Sequence, residues 1–248
     1  MIEIRKPGVG TVSDSRLQYD VLYSDQGIRL LDSFYVWILG LLPIKPGARL
    51  LDISCGEGSL LHFAARSGFA VYGLDLSLSA VEVASQRSGV ETLVVGDGEV
   101  LPFPDEHFDF VTNIGSLEHY LHPDAGVREV ARVLKPTGLA CILLPNLFGL
   151  LWNVYWVWKS GSMYVDDQPI QRYATRNHWT GLLEANGLKV VRVHRDNRPL
   201  PRTWGDLWWY LKRPRKFVAT LFALGIPTNL ANCQVFICTR ADGIGNNQ

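Results

Sequence analysis

The run LLDISCGEGSLL at residues 50–61 constrains the fold more than any other stretch of this 248-residue chain. An apolar segment ends at Asp52 and passes through Gly56-Glu57-Gly58 into a helical pattern that begins near Ser59. Glycine permits a tight turn and a close approach of ligand to backbone, and the first turn of a helix leaves N–H groups without intrahelical partners. Strand, glycine turn and helix in that order open a Rossmann-like unit with a cofactor loop at the helix amino terminus. A GxG also occurs in ordinary strand-to-helix turns, so the spacing of the later strands and acids decides its meaning.

Beyond this run the chain repeats the alternation. Strands are predicted over 49–54, 70–75, 92–96, 108–113, 139–144, 189–194 and 233–239, with helices over 59–67, 79–87, 123–134 and about 176–185. Strands separated by helical patterns of this length imply an α/β fold: a doubly wound, seven-stranded, mostly parallel sheet with helices on both faces. Ahead of it, Leu17, Val21 and Leu22, then Ile28, Leu31, Phe34, Tyr35, Ile38 and Leu39, mark two helices within 14–42. The expected organisation is an N-terminal helical cap (1–44), a cofactor-binding core (45–146), an aromatic insertion (147–174) and the end of the sheet (175–248). That last part carries a Trp-rich basic insertion at 198–231, and insertions of this length are more often functional covers than idle loops.

With 47% hydrophobic and 19% charged residues the chain is globular rather than disordered. Its formal net charge of zero conceals an asymmetry: residues 1–149 hold 11 Lys/Arg against 18 Asp/Glu, and residues 150–240 hold 13 against 5. The basic half is rich in aromatics, but these are interleaved with Leu and Val at core-like spacing, and the acidic half opposes a polyanion, so no nucleic-acid partner is expected. The four cysteines form no C-x-x-C pair and lack histidines at zinc spacing, which points to neither a disulfide framework nor a bound metal. MIEIRKPGVG has no apolar core of a secretory signal, and a cytoplasmic location is expected. The uncharged runs 138–158 and 217–239 are long enough to span about 30 Å of hydrocarbon as helices. Pro145-Asn146 breaks the first, and Pro227, Asn229, Asn232 and Gln234 break the second, so each reads as a strand joined to a separate apolar helix.

The acids at the strand ends carry the chemistry. Asp75 closes the second strand 19 residues after Gly56, where a carboxylate can accept hydrogen bonds from both hydroxyls of a ribose. Asp97, in Val95-Gly96-Asp97-Gly98, adds a third polar group at the same edge, placed to receive an adenine amino group; taken alone it also fits a turn aspartate. With LLDISCGEG, YGLDLS, VVGDGEVLPFPDEHFDFV, NIGSLEHY and REVARVLKPTG in order over residues 45–145, the chain resembles the class I S-adenosylmethionine-dependent methyltransferases. Within them it is similar to the type 11 group that includes the ubiquinone and menaquinone enzymes. The resemblance implies S-adenosyl-L-methionine as cofactor and S-adenosyl-L-homocysteine as product. It assigns the methionine part to Asp52, Gly56 and Gly58, the ribose to Asp75, and the adenine to Asp97 with Gly98. Ser54, Leu76 and Asn113 stand beside these in the implied cofactor wall. Ser54 departs from the family, which usually has Gly there, and implies an altered loop or weaker cofactor binding. An NAD-dependent oxidoreductase shares the fold, but Leu61 stands where the dinucleotide pattern needs Gly or Ala. Asp52 would also repel a pyrophosphate, whereas it suits an ammonium and a sulfonium.

His119, in Ser116-Leu117-Glu118-His119-Tyr120 after the fourth strand, is the candidate general base, with packing of a helix turn as the alternative. Trp152, Tyr155, Tyr164 and His178 are candidates for the acceptor pocket, with core packing as the alternative for the aromatics. Few charges in the insertions favour a small hydrophobic acceptor such as a quinone, a lipid or a secondary metabolite. A non-catalytic cofactor-binding protein is the alternative from another class. Trp204, Leu207, Trp208 and Leu211 recur at helical spacing before Lys212, Arg213, Arg215 and Lys216. Residues 204–226 therefore read as a peripheral contact with an anionic membrane, against an oligomer contact or a solvated loop. Nothing in the sequence indicates an oligomeric state.

Overall fold

A computed structural model describes residues 1–25, 27–197 and 200–242. Positions 198 and 199, where the second insertion is expected to begin, and the terminal residues 243–248 lie outside the described residues. In chain order the elements are β1 (Ile2–Arg5), α1 (Val12–Asp25), α2 (Asp32–Leu39), β2 (Arg49–Ile53), α3 (Ser59–Arg66), β3 (Ala70–Asp75), α4 (Leu78–Ser88) and β4 (Leu93–Val95). There follow β5 (Phe108–Ile114), α5 (Pro123–Val133), β6 (Leu134–Pro145), α6 (Tyr155–Ser160), β7 (Ile170–Tyr173), α7 (Arg176–Ala185), β8 (Leu188–Asp196), α8 (Trp204–Leu211), α9 (Pro214–Ala223) and β9 (Cys233–Arg240).

Seven strands form one sheet in the order β4-β3-β2-β5-β6-β9-β8. The strands from β4 to β6 are parallel, and β9 runs antiparallel to both β6 and β8. The chain winds outward from β2 through β3 to β4 and then returns to place β5 on the other side of β2. Strand order thus reverses at β2, and the crevice outside the carboxyl ends at such a switch point is where ligands bind in open α/β sheets.

Alternation along the strands sends successive side chains to opposite faces. Leu50, Phe110, Cys141, Leu143, Val235 and Ile237 pack with Phe34 and Ile38 of α2 and Leu61 of α3. Leu51, Ile53, Val111, Ile142 and Leu144 pack on the other face with Val127 and Val130 of α5 and Trp179 and Leu183 of α7. Covered on both sides, the central strands read as continuous apolar runs. Trp179, fully buried, also donates its indole N–H to the Pro145 carbonyl at 2.9 Å and fixes α7 to the end of β6.

The structure departs from the sequence expectation in three places. β6 begins at Leu134 rather than at 139, and α5 stops at Val133. Pro136 disfavours helical geometry at Lys135, so the chain extends early, with an irregularity between Phe108 and Phe110 in the register against β5. β1 and β7 form a second, two-stranded antiparallel sheet, with Ile2 opposite Tyr173 and Arg5 opposite Ile170. On α1 the expected apolar residues Leu17 and Val21 are 67% and 71% exposed, because the helix turns a different face inward. The first uncharged run divides into the end of β6, a π-helical turn at Leu150–Val154 and α6, and the second into α9, a short turn and β9. No described helix is long and apolar enough to cross a membrane.

Candidate active site

A cavity, partly open to solvent, lies over the carboxyl ends of the central strands. Its floor holds Asp52, Ser54 and Gly56 from the end of β2 and the turn after it, Asp75 and Leu76 after β3, and Asp97 and Gly98 after β4. Seven of the nine residues assigned to the cofactor thus share one cavity. Gly58 and Asn113 do not line it: Gly58 is the residue before α3, and Asn113 works behind the wall. The Asn113 amide donates to the Tyr120 hydroxyl at 3.0 Å, and its oxygen accepts from Ser116 Oγ at 2.9 Å and Leu117 N at 3.0 Å.

The turn after β2 explains its own sequence. Ser54 has φ 59°, in the left-handed region where a side chain ordinarily costs about 1–2 kcal/mol. Its hydroxyl lies 3.2 Å from the Tyr120 hydroxyl, a bond that glycine lacks. Serine here therefore holds a left-handed backbone conformation and adds a tie to the turn after β5. Gly98 is required for a different reason: a Cβ there would stand 2.1 Å from the Tyr120 hydroxyl oxygen.

The two carboxylates deepest in the cavity are both ionisable and both buried. Asp52 accepts from Thr112 Oγ1 at 2.6 Å, and burial, only partly opposed by that bond, pushes its pKa up to about 7. Asp75 accepts from the Gly56 N–H at 2.8 Å and the Ser77 N–H at 2.9 Å, and burial pushes it up to about 6 against those bonds. Among the described residues neither forms an ion pair with a Lys or Arg. Two buried acids without a cation from the chain suit a ligand that brings positive charge or several donors.

His119 lines the same cavity. Its Nδ1 meets the Ile170 carbonyl, which can only accept, so Nδ1 carries the ring proton and Nε2 keeps its lone pair. Burial lowers the imidazole pKa, opposed by the Ile170 carbonyl, and favours the neutral ring. Nε2 stands 3.7 Å from Glu118 Oε1, while burial pushes Glu118 up to about 8 and its Oε2 has no hydrogen-bond partner. Arg172 of β7 clamps this turn by donating to the carbonyls of Glu118 at 3.1 Å, Tyr120 and Leu121 at 3.3 Å. Glu3 of β1 neutralises that guanidinium at 2.8 Å, so the small sheet holds the His119 segment in place.

The four aromatic and histidine candidates for the acceptor pocket do not line this cavity. Trp152 and Tyr155 are more than a third exposed, and Trp152 packs edge-on to Tyr164 at 4.7 Å. The π-helical turn beneath them is pinned elsewhere: Leu151 N donates to Asn232 Oδ1 at 3.2 Å and Asn153 Nδ2 to the Asn146 carbonyl at 3.0 Å. His178 is exposed on α7. From that insertion only Gln168 reaches the cavity, where it accepts from the Tyr19 hydroxyl at 3.1 Å. The rest of the wall comes from the N-terminal segment: Val12, Ser15, Tyr19 and Tyr23 on α1, Ile28 and Leu30 after it, and Phe34 and Tyr35 on α2. Positions 12, 15, 19 and 23 recur at helical spacing, a signal in the sequence that the more apolar Leu17 and Val21 obscure.

Comparison with known proteins agrees with this geometry. The family model described as "Methyltransferase domain" matches residues 51–142. The ubiquinone/menaquinone biosynthesis C-methyltransferase UbiE of Cupriavidus metallidurans is 34% identical over 199 residues, 75% of this chain and 76% of that protein. The fatty-acid O-methyltransferase of Mycolicibacterium smegmatis is 41% identical over 96 residues, 37% of this chain and 35% of that one. Against three other curated quinone-pathway relatives the chain spans 40–52% of their length. The S-adenosylmethionine-dependent methyltransferase structure from Mesorhizobium loti superposes with a TM-score of 0.62 at 17% identity, covering 84% of this chain and 98% of that one, which shows a shared fold. Sheet order, strand-end acids and a match extending over three quarters of the chain place this protein in the UbiE-like group of the class I S-adenosylmethionine-dependent methyltransferases.

Proposed function

We propose that the cavity binds S-adenosyl-L-methionine and that the protein transfers its methyl group to a small apolar acceptor. The observation that carries this reading is the convergence of Asp52, Asp75 and Asp97 from three adjacent strand ends on one cavity, with the first two buried and lacking a cation from the chain. The residues suit the cofactor: Asp52 an ammonium, Asp75 a pair of ribose hydroxyls through lone pairs left over from its two backbone bonds, and Asp97 an adenine amino group. Ser54 and Gly56 both hold left-handed backbone conformations, at φ 59° and 52°, in the loop that would face it. When bound, the cofactor supplies an electrophilic methyl group on a sulfonium whose departure leaves a neutral thioether.

The chain's own contribution is alignment and exclusion of water. Orientation of two reactants can supply about 7–11 kcal/mol of a barrier. Tyr19, Tyr23, Phe34 and Tyr35 give the same cavity an aromatic wall, and the exposed Ile28 and Leu30 make its outer part apolar. An acceptor that fits this wall is apolar with at most one or two polar groups; the names of relatives that methylate a quinone precursor and a fatty acid support that class. Where the nucleophile carries a proton, His119 Nε2 is the acceptor, since Nδ1 is committed to the Ile170 carbonyl. Glu118 Oε1 stands 3.7 Å from Nε2, beside the atom on which that proton would arrive.

Calorimetric titration with S-adenosylmethionine, S-adenosylhomocysteine and NADH tests the cofactor. Micromolar binding of the first two, lost in Asp75→Ala, is the expected result. Binding of NADH alone would overturn the reading. Turnover of the methyl donor with quinols, phenols or fatty acids then separates catalysis from mere binding.

A further inference from the structure

Helices α8 and α9 form a hairpin whose buried side is small. Asp206 and Tyr210 of α8 and Thr220 and Ala223 of α9 face inward, and Thr220 Oγ1 donates to the Tyr210 hydroxyl at 3.2 Å. The outward side is apolar to an unusual degree. Trp204, Trp208 and Leu211 recur at i, i+4 and i+7 along α8, with Trp204 87% exposed. Val218, Leu221 and Phe222 present a second exposed stripe on α9.

Between the two stripes lie Lys212, Arg213, Arg215 and Lys216, all exposed. Among the described residues none of the four pairs with a carboxylate, and Asp206, the only acid within 204–226, is buried. Two of the cations lie over tryptophan faces, Lys212 at 5.1 Å from the Trp208 ring and Arg213 at 4.6 Å from Trp209. Indole beside ammonium or guanidinium, with bare aliphatic groups beyond, is the composition that partitions to the boundary between phospholipid headgroups and acyl chains. The helices hold eight and ten residues, too few to cross a bilayer and enough to lie along one.

The hairpin is also joined to the cavity wall. The Asp206 carboxylate accepts from the Ser33 N–H at 2.5 Å, and the Ser33 hydroxyl accepts from the Arg202 N–H at 2.6 Å. Phe34 and Tyr35, which follow Ser33 in α2, line the cavity, as does Leu30 three residues before it. Leu30 and Ile28 are exposed, so the apolar part of the wall reaches the surface close to where α8 is fastened.

We propose that the α8–α9 hairpin docks this protein on the surface of an anionic phospholipid bilayer and so brings the cavity's apolar rim to the lipid. Docking depends on the hairpin alone; its use, giving a lipid-soluble acceptor access to the cavity, rests on the methyltransferase reading above. The occupant is a bilayer rather than a second copy of the chain, because four cations on this face, none paired with a carboxylate among the described residues, would meet their like across an isologous contact.

The test is co-sedimentation of the full chain with vesicles of phosphatidylcholine alone or with about one-third phosphatidylglycerol, at low and high salt. Each basic residue near an anionic surface strengthens association about fivefold. Association with the anionic vesicles is expected to exceed that with neutral ones at least tenfold and to fall in high salt. Arg215→Glu with Lys216→Glu should lower it at least tenfold, and Trp204→Ser with Trp208→Ser should lower it independently. Unchanged circular dichroism and unchanged S-adenosylmethionine titration in both double variants would exclude unfolding. No association with anionic vesicles, or association that neither variant weakens, overturns the proposal. Concentration-dependent self-association in sedimentation velocity, abolished by the same substitutions and without vesicle binding, also overturns it and assigns the face to a dimer. Vesicle binding without cofactor binding would sustain docking while removing the methyltransferase reading, so the two fail separately.

Discussion

Asp52 and Asp75 sit buried at the strand ends, held by N–H and O–H donors of the chain, whereas Lys212, Arg213, Arg215 and Lys216 stand in solvent on the α8–α9 hairpin, in no ion pair with a carboxylate among the described residues. Both regions leave charge uncompensated within the protein, but at different depth. Burial makes each acid costly to ionise, so a ligand that compensates it gains much; exposure makes each cation cheap to keep, so only a surface of many charges repays contact. The acidic edge therefore suits one small molecule held tightly, and the basic face suits an extended partner held by summed weak terms.

The largest expected effect lies at the acidic edge. Asp75→Ala should remove measurable S-adenosylmethionine binding in calorimetry while leaving vesicle association unchanged; loss of both would show that the two regions are not independent. His119→Ala should lower kcat for an acceptor that carries an O–H proton by about 10²–10⁴-fold, with cofactor affinity unaltered, because it acts only on the acceptor side. Equal loss of cofactor affinity would place His119 in the wall rather than in proton transfer.

Acidity gives the next effect. Asp52 and Asp75 titrate at about 7 and about 6 in the folded protein. In the unfolded chain both return to about 3.9. Between about pH 4 and pH 7 the folded state holds protons that the unfolded state has lost, so raising pH through that window removes stability from the cofactor-free protein. Its Tm should fall from pH 5 to pH 8 by more than about 2–4 °C, and the rise in Tm on adding S-adenosylmethionine should grow over the same interval. Asp52→Asn should flatten both trends, and a Tm that climbs with pH would contradict the burial argument. The smallest effect belongs to the hairpin: Trp204→Ser should change stability by less than about 0.5 kcal/mol in urea unfolding, because the side chain is 87% exposed, while it still weakens vesicle association.

Residue by residue, the cofactor edge is far more legible in the sequence than the acceptor side. Asp52, Asp75 and Asp97 each end or follow a strand rich in apolar residues, and parallel strands deliver all such ends to one edge. Ser54 can be read there only as a departure; that it holds φ 59° and reaches Tyr120 depends on residues more than sixty positions away. Trp152, Tyr155 and Tyr164 are credible pocket residues in the sequence because aromatic insertions often cover such sites, yet none of them lines the cavity, and the turn bearing Trp152 is fastened to Asn232 and Asn146. Tyr19 and Tyr23, which do line the cavity, lie on a helix whose apolar Leu17 and Val21 face solvent.

The sequence by itself determined the alternation of strands and helices, the parallel sheet and the acids at its edge, because each is encoded within a few residues by period, turn chemistry and position. Only the tertiary structure decided which helix roofs the cavity, that β1 pairs with β7, and that Glu3 and Arg172 from those two strands steady the turn bearing His119. Those outcomes are pairings between residues up to 171 positions apart, as in Ile2 opposite Tyr173. A short strand or a half-polar helix is compatible with many partners locally, and its choice is settled by the shape and buried polar groups of the surface it meets after the sheet has formed.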